Sequence, residues 1–183
     1  MSILTDTPAT FIPTGTWAID PSHSTVEFQI RHLGLATVKG RAPVVSGEIT
    51  GGDAPALHGT VDVSALTTFD ETRDGHLQSP DFFDVARYPE LTFRSSSVEI
   101  ADGELIVDGE LTVKGVTKPV RLMGSVVGTE SDPWGNERVG IDLEAVIDRT
   151  AWGLTWNAPL PGGGFLLPSD VKLAASFSAV KAA

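Results

Sequence analysis

The sequence predicts an all-β fold, built of antiparallel strands whose apolar sides face inward. Apolar and polar residues alternate with period two along about eight segments. The links between them are short and turn-forming, with Gly 19 and Pro 12 among 183 residues. Hydrophobic residues make up 41% of the chain, enough for one core and too many for a disordered polymer.

In Thr25 to His32, the side chains of Val26, Phe28, Ile30 and His32 share a face opposite Glu27, Gln29 and Arg31. Residues 39–50 form a second extended run with Val45, Gly47 and Ile49 in phase, and Gly51-Gly52-Asp53 turns the chain. Leu57, Gly59, Val61 and Val63 line the next strand, and Leu91, Phe93, Ser95 and Ser97 the one after the break. Asp102-Gly103 leads into Leu105, Val107, Gly109, Leu111 and Val113. Lys114-Gly115 then leads into a run with Val120, Leu122, Gly124 and Val126 in phase. Past the loop around Pro133, Val139, Ile141, Leu143, Ala145 and Ile147 alternate with acidic residues. Val171, Leu173, Ala175, Phe177 and Ala179 define the last strand.

Two segments depart from this pattern. Residues 70–88 cluster charges and are expected to hold a short helix. Residues 150–168 are rich in Gly, Pro and Trp and read as a long loop, a lid or a rim. There is no repeat or linker, so residues 16–183 read as a single domain behind a flexible N-terminal segment, 1–15.

The formal net charge of −11 opposes phosphate backbones and anionic lipid surfaces, so nucleic acid is not an expected partner. With no cysteine there is no disulfide or thiol chemistry. Met1 to Pro8 has neither the basic nor the apolar region of a secretory signal, so the expected compartment is the cytoplasm. No integral membrane segment is expected, for want of a long uncharged apolar run.

One-sided alternation over this many strands fits either a two-sheet sandwich or a closed barrel. Glycine, alanine and serine on the inward faces would leave room for a guest, or else mark bulges and sharp coiling.

Several motifs carry a resemblance. They are Trp17-Ala-Ile-Asp-Pro-Ser-His-Ser24, Ile30-Arg-His-Leu33, Thr72-Arg-Asp-Gly-His-Leu-Gln-Ser-Pro-Asp-Phe-Phe-Asp84 and Tyr88-Pro-Glu-Leu-Thr-Phe93. Gly109 to Val120 and Asp148-Arg-Thr-Ala-Trp-Gly153 complete the set. In this order, from Thr16 to about Val180, the chain resembles the bacterial YceI-like family of lipocalin-like barrels. The resemblance implies an elongated eight-stranded antiparallel barrel with a short capping helix and an internal apolar cavity. It also implies binding of a polyisoprenoid-type lipid or other long-chain amphiphile, and it admits a homodimer. The segment from Leu154 to Pro168 is longer and richer in glycine than the family's usual connection, and many members carry a signal peptide.

The function expected is non-catalytic binding, with carriage or storage, of a long-chain isoprenoid or a similar lipid or quinone, and no separate cofactor. The expected lining is Phe28, Ile30, Val61, Phe93, Leu111, Leu122, Leu143 and Phe177. His32 and Arg149 are candidate polar contacts, with His32 read first as a satisfied core histidine and Arg149 first as the partner of a protein carboxylate. Trp152 and Trp156 either gate the mouth or plug that end of the core. Asp70, Glu71, Arg73, Asp74 and His76 hold the groups acid–base chemistry would use, although Arg73 and Asp74 read better as pins holding a cap helix. An enzyme using this cluster, or a packed barrel acting as an interaction module, are the alternatives. His23, His32, His58 and His76 lack metal-ligand spacing, so no metal site is expected.

Overall fold

The computed structural model describes Ala9 and residues 11–183. Its strands are β1 (Gly15–Ile19), β2 (Thr25–His32), β3 (Ala36–Ala42), β4 (Val44–Gly51), β5 (Ala56–Asp62), β6 (Glu90–Ala101), β7 (Glu104–Val113), β8 (Val116–Ser131), β9 (Glu137–Asp148) and β10 (Asp170–Lys181). One helix, α1 (Glu71–Gln78), lies between β5 and β6.

All pairings between strands are antiparallel, and β1 bonds to both β4 and β10, which closes an eight-stranded ring. The other two strands extend the wall. A 3₁₀ turn at Pro21–His23 separates β1 from β2, and both lie along β10, with Ile19 opposite Ala179 and Thr25 opposite Ser176. Pro43, which has no N–H to give to a ladder, separates β3 from β4. The ten strands therefore occupy eight positions, two of them broken.

The upper half of the wall has a seam. The free edge of β3 makes one backbone pairing with the β5–β6 connection, between Arg41 and Thr67, which exchange hydrogen bonds of 3.0 and 2.9 Å. The segment carrying α1 covers this seam. Asp70 caps the helix by accepting from the Arg73 N–H at 2.9 Å, yet none of its residues is buried. Polar bonds hold it instead. Asp74 accepts from the Thr68 N–H at 2.8 Å and from the Thr67 and Thr68 hydroxyls, while Arg73 donates to the Thr68 hydroxyl and carbonyl. Burial pushes the Asp74 carboxyl up, and the bonds from Thr68 and Thr67 outweigh it, leaving it below the usual carboxylate range.

The lower half holds the larger part of the buried core. Trp17, Ile49, Leu105, Ile141 and Leu143 are almost completely buried there. Of the segment 1–15, expected to be flexible, residues 1–8 and 10 lie outside the described residues. Ile12 is buried, its carbonyl accepts from the Gly52 N–H, and the Trp17 indole donates to the Pro13 carbonyl. The packed domain thus begins before residue 16.

Two strand faces change phase relative to the alternation. A bulge between Val44 and Ser46 turns Val44 inward and leaves Val45 outward. Another between Ser95 and Ser97 buries Val98 where Ser97 was expected to face in. One extra residue in a strand reverses the facing of everything beyond it.

Candidate ligand-binding cavity

The apolar interior opens into two chambers. The upper, beneath α1 and the loop after β9, has a volume of about 260 Å³, and the lower about 100 Å³. Val26, Val61, Leu91, Leu111 and Leu173 border both, so the chambers adjoin. The upper chamber approaches the lower end of the roughly 300–1,000 Å³ found for small-molecule sites.

All the residues expected to line a cavity border one. Phe28, Ile30, His32, Arg149 and Trp152 face the upper chamber. Phe93, Leu122, Leu143 and Phe177 face the lower. Val61 and Leu111 border both. Alternation found these positions because the β2, β7, β9 and β10 faces keep their phase.

The space itself arises differently from the expectation. Gly59 and Ala175 border the lower chamber, but other inward glycines do not leave voids. A β-carbon at Gly109 would overlap the Phe93 ring, and one at Gly40 the Phe28 ring. The rings lie flat over glycines of the neighbouring strands, and at Gly124 the Asp142 carbonyl takes the room instead. The larger chamber lies under the seam, with Arg73, His76 and Leu77 of α1 on its border.

Residues of α1 and the loops complete the roof and were not read from the alternation. Arg73, His76 and Leu77 of α1 border the upper chamber, as do Phe82 and Trp156. The His76 ring is edge-on to Phe82, with centroids 5.0 Å apart, and its Nε2 lies 2.9 Å from Asp81 Oδ2. Leu166 and Leu167 come from the Gly-rich loop, which docks through the Leu33 N–H donating to the Leu166 carbonyl at 3.0 Å. The stretch carries several apolar residues besides this pair, so its sequence did not single the pair out.

The profile of the YceI-like domain matches residues 17–179, nearly the whole described barrel. The chain belongs to the YceI-like family. The protein YceI of Escherichia coli O157:H7 is 38% identical over 129 residues, 68% of each chain. Among solved structures, BcnA of Burkholderia cenocepacia superposes with a TM-score of 0.73 at 20% identity, covering 88% of this chain and 99% of that one. The Campylobacter jejuni YceI protein gives 0.64 at 24% identity, covering 84% and 90%. A Saccharophagus degradans domain described as polyisoprenoid binding gives 0.69 at 16%, covering 91% and 98%. Such identities establish a shared fold.

Within this YceI-like barrel, two side chains, Arg149 and His32, differ from their first-read surroundings, and Trp152 matches one of its two readings. Arg149 is buried, but no carboxylate of the described residues pairs with it. The carboxylate of neighbouring Asp148 instead accepts from the Thr150 N–H and hydroxyl. The guanidinium donates to three main-chain carbonyls: Leu154 at 2.6 Å, Trp156 at 3.0 Å and Pro168 at 2.9 Å. It thereby ties both ends of the loop to the barrel. Burial pushes its pKa down, against the opposing pull of the Asp148 charge. His32 is not a buried core histidine, for it is half-buried on the chamber wall. Trp152 is a plug rather than a gate, since it is buried and its indole donates to the Leu111 carbonyl at 2.9 Å.

Three members of the candidate acid–base cluster have structural partners, while His76 borders the upper chamber. Asp70 caps α1, and Asp74 and Arg73 hold Thr67 and Thr68. No helix of the described residues is long and apolar enough to cross a membrane.

Proposed function

We propose that this protein binds a long-chain isoprenoid, or a lipid or quinone of similar build, inside the barrel, and carries or stores it without chemistry of its own. The observation that carries this reading is the pair of adjoining apolar chambers, which an elongated guest would occupy as one passage from the roof downward. Each methylene buried in such a passage contributes about 0.8 kcal/mol, so grip comes from area rather than from charge. The polyisoprenoid-binding description of the Saccharophagus degradans neighbour supports the same class of occupant. Phe28, Ile30, Val61, Leu111 and Phe177 would hold the chain, and the polar groups at the roof would orient its head.

Titration with linear polyprenols of increasing length tests this reading. Trp152 and Trp156 border the upper chamber and report occupancy through their emission. A saturable one-to-one response that strengthens with chain length is expected. No response at any length would contradict it.

A further inference from the structure

Three turns of the barrel share one backbone, a non-glycine residue at positive φ followed by a glycine at positive φ: Leu33-Gly34, Asp102-Gly103 and Lys114-Gly115. A side chain strains such a position, and glycine or a short polar residue is the usual choice there. Two of the turns put a charged residue at it. The turn between β2 and β3, beside the upper chamber, instead puts Leu33 there, 41% exposed, and follows it with Leu35, 79% exposed. The Leu33 N–H donates to the Leu166 carbonyl, so this tip adjoins the Gly-rich loop, where Phe165 is 66% exposed. Residues 150–169 carry no charge at all, in a chain of which 20% is charged. The hairpin behind the tip is basic. Arg31, Lys39 and Arg41 are exposed, and none forms an ion pair with the described residues. No acidic residue lies between Glu27 and Glu48. Acidic side chains return at Glu27, opposite Arg41 in the ladder, and at Asp148 and Asp170, opposite each other where β9 and β10 meet the loop.

We propose that this face, with Leu33, Leu35 and Phe165 at its tip and the basic hairpin behind them, docks the mouth of the barrel on an anionic lipid bilayer. This rests on the reading of the barrel as a lipid carrier and names the surface with which it exchanges lipid. The three apolar side chains enter the headgroup region, and Arg31, Lys39 and Arg41 stay at the level of the phosphates. The formal net charge of −11 opposes such a surface as a whole. At physiological ionic strength, however, charges farther than about 8 Å from the membrane are largely screened. The bilayer therefore meets the charge of the tip rather than that of the chain. Exposed leucines alone would suit a partner protein equally well. The basic flank matches anionic headgroups, and the position at the rim of the chamber puts a lipid guest within reach of its source.

The chain has no cysteine, so Leu35→Cys and Phe165→Cys each accept a single environment-sensitive nitrobenzoxadiazole label. Trp134→Cys, exposed in the loop between β8 and β9 at the closed end, is the control. Each labelled protein is titrated with vesicles of phosphatidylcholine, alone or mixed at about 3:1 with phosphatidylglycerol, in about 0.15 M salt. Both tip labels should shift to the blue and brighten with the mixed vesicles, and the control label should not. Adding Lys39→Gln should raise the vesicle concentration needed about fivefold, the worth of one basic residue near such a surface. No response at either tip label, with polyprenol binding intact, would overturn docking and leave carriage standing. An equal response from the control would overturn the assignment to this face. A response as strong with phosphatidylcholine alone, and indifferent to Lys39→Gln, would overturn the role of the basic hairpin. A shift that grows with protein concentration in the absence of vesicles would make a second copy the occupant and overturn the bilayer. Absence of polyprenol binding would overturn the carriage reading, and lipid exchange with it.

Discussion

The imidazole of His76 meets the indole of Trp156 edge-on, with ring centroids 4.6 Å apart. One ring comes from α1 and the other from the loop after β9, so this contact joins the two parts of the roof. The Trp156 carbonyl also receives a hydrogen bond from Arg149, which ties the roof to the end of β9.

Trp156→Ala should therefore open the chamber more than it unfolds the protein. An aromatic pair contributes about 0.5–1.5 kcal/mol beyond the area it buries. A modest drop in Tm is expected, with a several-fold faster release of a preloaded fluorescent lipid in stopped-flow displacement. An unchanged release rate would mean that the occupant leaves elsewhere.

The ring of Phe93 lies over Gly109, where a side chain would overlap it. Gly109→Ala must push that ring into the lower chamber or shift β7, and overpacking of this kind costs about 1–3 kcal/mol. Gly162 has nothing near its β-carbon position, so Gly162→Ala serves as the control and should be close to neutral. Urea denaturation of both variants checks the difference.

Carriage and catalysis separate at α1. Asp74→Ala strips Thr67 and Thr68 of their acceptor and should cost about 1–3 kcal/mol. Lipid bound per folded molecule should stay at the wild-type level. A variant that folds normally yet accumulates an altered lipid would instead point to chemistry at this cluster.

At the closed end, Arg138 bridges Asp20 at 2.9 Å and Asp132 at 3.0 Å. Bonds from Arg138, then Ser22 and His23, hold the Asp20 carboxyl well below the usual carboxylate range. Asp132 is lowered to about 2, mainly by the Asn136 side chain, with Arg138 contributing and burial opposing. Both groups are depressed relative to an unfolded value of ~4, so their stabilisation is fully present above that pH. It is lost as pH falls toward the folded values. Melting temperature should therefore drop steeply below pH ~4. In Arg138→Met, which removes a cause of both shifts, the drop should be shallower.

The legible part of the fold was the part set by two-residue periodicity. The faces from Val139 to Ile147 and from Val171 to Ala179 read directly, because no bulge interrupts them. Val45 and Ser97 were misplaced because a bulge leaves little trace in polarity when the residues beside it are small or β-branched. The roof was hard to read for a different reason. Leu77, Phe82 and Leu167 reach the chamber from irregular backbone, where no period links a residue to a face. Arg149 was singled out by its parity, while its carbonyl partners depend on how a Gly-rich loop folds back, which no local pattern encodes.

The central claim is that the barrel holds a long apolar molecule. Organic extraction of protein purified without detergent, followed by mass spectrometry, addresses it most directly. The account predicts one equivalent of a single long-chain lipid, and less than a tenth of that from Ala175→Trp, which fills the lower chamber. Empty protein from several expression hosts, or equal lipid from the filled variant, would contradict it.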